Sequence, residues 1–237
     1  MKLETAVSFN LFTKCLIKAL SISNKFYHII DTSKIILENK HNMKKGLLII
    51  LSGPSGVGKG TVREYIFSHS NLPFVYSVSM TTREPRNGEV DGKDYYFVSD
   101  EEFQRNVQNN NFLEHASFVG HSYGTPKDKV EALRNEGKHV FLEIEVNGAT
   151  QVLTNHKEPG VVSIFLMPPS LRALENRIKG RKTEPKEIIE KRLEKGRREI
   201  QLAGMYDYVV INDRVENASQ KIMDIILNKI KENKEED

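Results

Sequence analysis

The sequence predicts an α/β fold in three layers, with a central parallel sheet between helices. From Gly46 onward, apolar runs alternate with helical patterns, and this alternation is typical of parallel strands joined by crossover helices. The runs are LLIIL, FVYSVSM, VFLEIEV, VVSIFLM and YDYVVIN, which span residues 47–51, 74–80, 140–146, 161–167 and 206–212. Because the runs are almost continuously apolar, the strands are expected to be buried on both faces.

Two regions interrupt the alternation. Residues 79–128 combine aromatic, charged and turn-forming residues, and they predict a small domain inserted into the core. Residues 177–198 are intensely charged and predict a mobile helical lid. The remaining segments, residues 45–78, 129–176 and 199–237, then form the core. Apolar residues at 222, 225, 226 and 230 predict a terminal helix.

Composition excludes several classes of protein. Of the 237 residues, the first 42 hold six lysines against three acids, so the net charge of +3 comes from this segment and the rest is neutral, with 29 basic and 29 acidic residues. A neutral body disfavours general nucleic-acid binding. Cys15 is the single cysteine, which excludes an intramolecular disulfide and favours a reducing, cytoplasmic location. The chain lacks a run of 18 apolar residues, so a membrane span is not expected.

Residues 1–42 allow three interpretations. A transit peptide fits the low acid content, but such peptides favour arginine and none precedes Arg63. A secretory signal fits less well, because Lys18 interrupts the short apolar core CLIKALSI. The favoured interpretation is that Met43 is the natural start and that the extension is dispensable. Residues 43–237 would then form the functional domain.

The stretch LLIILSGPSGVGKGTV, residues 47–62, has the order strand, glycine loop, helix that a phosphate-binding loop requires. It departs from the G-x-x-x-x-G-K-[ST] pattern because Gly60 replaces the hydroxyl residue after Lys59. Backbone amides, the lysine charge and the helix N-terminus would all attract phosphate, so a ligand-free glycine turn is the less favoured alternative. The expected ATP contacts are Gly53, Pro54, Ser55, Gly56, Val57, Gly58, Lys59, Gly60 and Thr61.

Two further clusters carry cationic side chains. Arg83 and Arg86 lie three apart and are followed by Tyr95, and guanidinium forks with a phenol suit bidentate binding of a second phosphate. Arg177, Arg181 and Arg192 form the other cluster. On their own, these last three arginines are typical of a solvated helix face.

The chain resembles guanylate kinases from about Lys45 through Ile230. Besides the loop, the resemblance rests on SMTTREPRNGEVDGKDYYFV, NNNFLEHASFVGHSYGTP, VFLEIEVNGA, FLMPPS, GRKTE and YDYVVIND. Nucleoside monophosphate kinases use loops that end in GKGT, with the hydroxyl shifted to the position of Thr61. The resemblance implies phosphoryl transfer from ATP to GMP and dGMP with Mg²⁺, in purine metabolism and GMP recycling, by a monomer or homodimer.

Binding roles follow from the resemblance position by position. The acceptor phosphate is assigned to Ser79, Arg83, Arg86, Tyr95 and Tyr123, and guanine to Glu114 and Thr125, with Glu145 close by. A carboxylate can accept from both the ring N1–H and the exocyclic amine of guanine, whereas adenine has no such adjacent donor pair. Glu114 is therefore the predicted specificity residue.

The resemblance also assigns the remaining residues. Glu143 and Glu145 lie two apart on a predicted strand and so share one face. Glu143 is assigned to the neighbourhood of Mg²⁺ with Thr61, where phosphates and water hold most of the ion, and Glu145 to the guanine amine. The arginines at 177, 181 and 192 would close over the triphosphate, and Asn212 would contact adenine. Together with Lys59 and Arg83, these three arginines are the predicted catalytic residues.

Two other functions remain open from the sequence. Scaffold proteins contain guanylate-kinase-like domains that bind peptides without catalysis, but those domains typically lack an intact phosphate loop. An enzyme of the same architecture could instead phosphorylate a different acceptor. Glu114 with Thr125 favours guanine over that second alternative.

Overall fold

The structure is a computed structural model that describes residues 44–118, 120–155, 158–180 and 185–235. These residues belong to one compact unit that starts at residue 43. The predictions for residues 1–42 and for Arg181 lie outside the described residues. Within the described ranges, no helix combines the length and apolar character that a membrane crossing requires.

Outside residues 79–128 and 177–198, the described strands and helices alternate as the sequence predicts. The strands are β1 (Leu48–Ser52), β2 (Phe74–Tyr76), β3 (Met80–Thr81), β4 (Tyr96–Phe97), β5 (Phe112–Phe118), β6 (His121–Pro126), β7 (His139–Glu143), β8 (Val161–Met167) and β9 (Tyr208–Ile211). The helices are α1 (Lys59–His69), α2 (Asp100–Gln108), α3 (Lys127–Asn135), α4 (Val146–Asn155), α5 (Leu171–Lys179), α6 (Lys186–Ile200) and α7 (Val215–Glu235). A 3₁₀ helix at Gln201–Met205 follows α6.

The central sheet has five parallel strands in the order β2-β7-β1-β8-β9. Strand β1 lies in the middle and is buried along its whole length. Ile49 and Leu51 belong to a core shared with α1 and α7, whereas Leu48 and Ile50 belong to a second core shared with α4. The sheet is thus covered on both faces, and the predicted three-layer α/β fold is confirmed.

A second sheet is built from residues between β2 and α3, in the order β4-β3-β6-β5. It contains an antiparallel β5–β6 hairpin, and β3 pairs antiparallel with β6 and parallel with β4. Helix α2 precedes β5, and the Ser99 side chain caps it by accepting a hydrogen bond from the Glu102 amide. The segment that the sequence predicts as an insertion therefore has its own sheet.

Several element boundaries differ from the prediction. The run FVYSVSM is not one strand, because β2 ends at Tyr76 and Met80 pairs in the second sheet. The run VFLEIEV ends as a strand at Glu143, and the Glu145 carbonyl already accepts the first hydrogen bond of α4, from the Ala149 amide. The prediction that Glu143 and Glu145 share a strand face is therefore wrong.

Candidate nucleotide-binding site

The glycine loop connects the central strand β1 to α1. Gly53 has φ of 149°, and a side chain there would overlap the carbonyl oxygen of Leu166 on β8. Gly58 is the N-cap of α1 with φ of 100°, and a Cβ on it would lie 2.8 Å from Asn212 Nδ2. Glycine is required at both positions because a side chain there would be strained or would clash. The first-turn amides of α1 then lie at the end of the loop, where a helix leaves its amides without intrahelical acceptors.

Side chains from three other elements hold the loop. The Val57 carbonyl accepts hydrogen bonds from Arg177 Nη1 on α5, at 3.0 Å, and from Asn212 Nδ2 after β9, at 2.8 Å. Arg192 Nη2 on α6 donates to Ser55 Oγ at 2.9 Å. The segment predicted as a lid therefore contacts the loop directly.

Lys59 lies at the first position of α1, and its Nζ donates to the Gly53 carbonyl at 2.7 Å. Burial lowers the pKa of Lys59, although Glu143, Glu145 and Glu199 act in the opposite sense. A partly buried ammonium group gains from an anionic ligand. The loop thus combines amides, a helix terminus and a cation in a place that favours phosphate.

A cavity of about 610 Å³ lies between the central sheet and the second sheet. Its lining includes six residues that the sequence assigns to GMP or Mg²⁺: Ser79, Tyr95, Glu114, Tyr123, Glu143 and Glu145. The rings of Tyr95 and Tyr123 meet edge to face, with centroids 6.1 Å apart. The structure therefore brings together side chains that are far apart in sequence around one space.

One end of the cavity holds a buried carboxylate. Glu114 on β5 is 8% exposed, and its Oε1 accepts a hydrogen bond of 2.6 Å from Thr125 Oγ1 on the neighbouring strand. Burial raises the pKa of Glu114, while the Thr125 hydroxyl favours the ionised form. A carboxylate in such a place is costly unless donors meet it. A base edge that presents two adjacent N–H groups would supply them.

Arg83 and Arg86 lie in the segment between β3 and β4, where Arg83 contacts two residues that line the cavity, Glu89 and Tyr95. Arg83 Nη2 donates to both carboxylate oxygens of Glu89, each at 2.9 Å, and its guanidinium lies 5.4 Å from the centroid of the Tyr95 ring. Glu89 also accepts a hydrogen bond of 2.8 Å from the Arg86 amide. The Arg86 side chain is exposed. Glu89 therefore holds the guanidinium of Arg83 and the backbone of Arg86, while the Arg86 side chain extends into solvent.

Glu143 connects the cavity to the glycine loop. Its carboxylate lines the cavity, and Oε1 lies 3.7 Å from the position that a Cβ on Gly60 would occupy. Arg63, one turn after Lys59 on α1, approaches Glu143 with an Nη1–Oε2 distance of 3.5 Å. Burial raises the pKa of Glu143. The cavity and the glycine loop therefore adjoin each other at Glu143 and form one continuous site.

Comparison with known proteins agrees with this arrangement. The family model described as guanylate kinase matches residues 45–229, which include the loop, the second sheet and the cavity. The chain belongs to the guanylate kinase family. The resemblance that the sequence motifs predict is confirmed.

Guanylate kinases from several bacteria are similar to this chain. That of Mesoplasma florum is 59% identical over 183 residues, which cover 77% of this chain, and the chain spans 61% of the length of that relative. That of Bacillus cereus strain ZK is 56% identical over 184 residues, covering 78% of this chain and 89% of the relative. A crystal structure of guanylate kinase from Anaplasma phagocytophilum matches with 35% identity and a TM-score of 0.61, covering 78% of this chain and 87% of that one.

Two of the residues assigned from the guanylate kinase family make contacts that the sequence does not predict. Asn212, which the resemblance assigns to adenine, is 2% exposed and donates from its amide nitrogen to the Val57 carbonyl of the loop. The Glu145 side chain is 51% exposed and pairs with Lys195 of α6 at 2.7 Å. Glu145 is therefore linked to the predicted lid.

The sequence reasoning missed three charged residues of this family member's site: Arg63, Glu89 and Lys195. Arg63 follows Lys59 by four positions, and the helical period alone would have placed the two on one face of α1. Glu89 follows Arg86 by three positions in the same turn-rich segment. Nothing near Lys195 in the sequence indicates its contact with Glu145, because the partners are 50 residues apart.

Proposed function

We propose that this chain is an ATP:GMP phosphotransferase, which transfers the γ-phosphoryl group of ATP to GMP or dGMP and releases ADP with GDP or dGDP. The observation that carries the proposal is Glu143, which lies beside Gly60 of the phosphate loop and also lines the cavity that contains Glu114. Two nucleotides bound at these ends would meet phosphate to phosphate. The reaction would serve purine nucleotide metabolism and the recycling of GMP.

ATP binds with its triphosphate on the glycine loop. The loop amides and the N-terminus of α1 surround the phosphates, and Lys59 exchanges its contact with the Gly53 carbonyl for a phosphate oxygen. The adenine lies near the segment after β9, where Asn212 acts through the loop because its amide is bound to Val57. The triphosphate of ATP is therefore bound mainly by backbone amides of the loop.

GMP binds in the cavity with its phosphate toward the loop. Arg83, Arg86, Ser79 and the two tyrosines bind the phosphate, and Glu89 keeps Arg83 ready for it. At the opposite end, Glu114 accepts from N1–H and the exocyclic amine of guanine, and Thr125 and Glu145 support that contact. AMP offers no such pair of donors, so this end selects for guanine.

Magnesium fits the junction between the two ends. Glu143 supplies a carboxylate beside Gly60, at the position where the common loop pattern would place a hydroxyl, and Thr61 follows directly. Oxygen donors with phosphates and water suit Mg²⁺, which keeps part of its hydration shell. When bound, the ion neutralises charge on the triphosphate. Arg63 holds the Glu143 carboxylate toward this place.

Catalysis consists of placement and charge neutralisation. An oxygen of the GMP phosphate forms a bond to the γ-phosphorus while the bond from that phosphorus to the β-phosphate bridging oxygen breaks. No general base is needed, because the attacking oxygen is already anionic. Arg177 and Arg192 on the lid, with Lys59 and Arg83, surround the transferred group, and Arg181 joins them by resemblance. Lid closure excludes water from the phosphoryl group.

The wider assignments form part of the same proposal. Residues 79–128 act as the GMP-binding insertion and residues 177–198 as the lid, and residues 1–42 are dispensable. The enzyme works in the cytoplasm as a monomer or homodimer on small-molecule substrates, without nucleic acid or membrane. Support comes from the neutral charge of the chain beyond residue 42 and from the family match, which starts at residue 45.

The test is a coupled assay of ADP release with GMP, dGMP, AMP, UMP and CMP offered in parallel. GMP and dGMP are expected to support turnover, with AMP at least about tenfold lower in kcat/KM. A different preferred acceptor would contradict the guanine assignment. An absence of turnover with every acceptor, together with peptide binding, would support the noncatalytic scaffold function instead.

A further inference from the structure

Helix α4 carries a glycine that its backbone does not require. Gly148 is a buried residue in the first turn of α4, and the positive-φ glycines of the described chain all lie elsewhere. In regular helix, glycine is less favourable than alanine by about 1 kcal/mol. The reason for glycine here must therefore be space.

That space is filled by the side chain of Glu114. A Cβ placed on Gly148 would lie 3.0 Å from Glu114 Cδ and 3.2 Å from Cγ, and it would overlap Oε2. Both residues line the same cavity. The Glu114 carboxylate thus occupies the volume in which any other residue at position 148 would place its side chain.

Two sets of hydrogen bonds keep the backbone of β5 close to α4 and hold one oxygen of Glu114. Gln151, three positions after Gly148 on α4, donates from Nε2 to the His115 carbonyl at 2.9 Å and accepts from the His115 amide at 3.2 Å. This pair of bonds ties strand β5 to the helix right beside Glu114. On the other side, Thr125 holds Oε1 at 2.6 Å. A side chain at 148 would therefore move the carboxylate and not the strand.

The start of α4 also suits an anion. The amides of residues 146–148 precede the first amide that has an intrahelical acceptor, which is Ala149 bonding to the Glu145 carbonyl. Glu114 packs beside this first turn at Gly148, and the positive end of a helix dipole favours a negative charge nearby. This favours the ionised carboxylate that guanine recognition needs.

We propose that Gly148 determines guanine specificity as a positioning residue, because its missing side chain leaves the one place from which Glu114 can accept both guanine donors. The inference rests on the proposed function. A merely structural glycine would affect folding without affecting the choice of base. A positioning glycine would affect the choice of base while the fold remains.

The decisive variant is Gly148→Ala, compared with the wild type in kcat and KM for GMP and for AMP. We expect KM for GMP to rise at least about tenfold, the GMP:AMP ratio of kcat/KM to fall by a similar factor, and the melting temperature to hold or rise. Gly204→Ala is the matched control, since a Cβ there meets nothing within 4 Å. A GMP:AMP ratio within twofold of the wild type would overturn the proposal.

A second variant connects the effect to the carboxylate. Glu114→Asp shortens the side chain by one methylene, so the double variant Gly148→Ala/Glu114→Asp is expected to recover part of the lost preference. If Gly148→Ala does not fold, Gly148→Ala/Glu114→Ala should fold, because the clash is gone. Failure of that double variant to fold would overturn the proposal. A wild type that does not phosphorylate GMP would instead contradict the proposed function.

Discussion

The two ends of the site are built in different ways. On the donor side, a loop with positive-φ glycines follows the fully buried strand β1, and side chains from α5 and from the segment after β9 bind a loop carbonyl. On the acceptor side, the strands β3 and β4 have only two residues each, and ionisable side chains in the segment between them bind one another, as Arg83 binds Glu89.

This difference in construction suggests that the donor side binds polyphosphates in general, whereas the acceptor side selects one base. Backbone amides attract any polyphosphate, so the donor end needs rigidity and little else. Side chains can be aimed at one base, so we expect the acceptor end to carry the specificity, through the buried carboxylate of Glu114. Substitutions on the donor side should therefore reduce the rate for every acceptor. Those on the acceptor side should alter the choice among acceptors.

The largest effect is expected for Lys59→Ala. Removing a preorganised cation that neutralises transition-state charge costs on the order of 100-fold or more in kcat. GMP and dGMP should lose rate to the same extent, and the melting temperature should stay close to that of the wild type. Lys138→Ala provides the control, because Lys138 is paired on the surface with Glu136. A near-normal kcat in Lys59→Ala would show that the loop does not bind the phosphoryl donor.

Glu114→Gln should give the next largest effect, on the choice of base. Replacing the carboxylate weakens a charged hydrogen bond worth about 1.5 to 3 kcal/mol, so the GMP:AMP ratio of kcat/KM should fall at least about tenfold. Glu145→Gln should cost less, because the Glu145 side chain is 51% exposed. An equal loss in both variants would contradict the assignment of Glu114 as the main guanine contact.

The same carboxylate predicts a pH dependence. Burial raises the pKa of Glu114, so its acceptor form is lost as the pH falls through a value above the usual range for glutamate. The GMP:AMP ratio of kcat/KM should decline over that interval in the wild type and stay flat in Glu114→Gln. Taking the ratio cancels the titration of the nucleotide phosphates. A flat wild-type profile would show that Glu114 is not the titrating acceptor.

A smaller effect is expected for Glu89→Gln. Glu89 holds Arg83 and the Arg86 amide without touching the nucleotide, so KM for GMP should rise several-fold, with a smaller fall in kcat because Arg83 also lies against the transferred group. Glu84→Gln is the matched control, because Glu84 is an exposed acid in the same segment. A selective fall in kcat would instead place Glu89 in the chemical step.

Deletion of residues 1–42 should have the smallest effect. The family match starts at residue 45, and the compact unit starts at residue 43. We expect kcat/KM for GMP within twofold of the full chain and an unchanged melting temperature. A large loss of either would refute the interpretation of the segment as dispensable.

The sequence was sufficient for the fold and the donor loop because both depend on local patterns. Buried parallel strands appear as apolar runs, and a glycine loop followed by Lys59 identifies its ligand class. The ends of the strands were less predictable. Glu145 continues an apolar strand pattern, but the hydrogen bonding of α4 starts at its carbonyl, and this removes it from the face of Glu143.

The acceptor side depends on contacts between distant residues, which no local pattern encodes. Glu114 and Gly148 are 34 positions apart, and their close approach appears only when β5 lies against α4. Lys195 and Glu145 are similarly remote in sequence. Motif resemblance placed Glu114 in the site, but the reason for the glycine opposite it required the structure.

The central claim is that ATP and GMP bind phosphate to phosphate across Glu143. A crystal structure with GMP and a nonhydrolysable ATP analogue tests it most directly. The account predicts the triphosphate on residues 53–61, guanine hydrogen-bonded to Glu114, and the GMP phosphate on Arg83. GMP bound outside the cavity, or bound with its base toward the loop, would contradict the account.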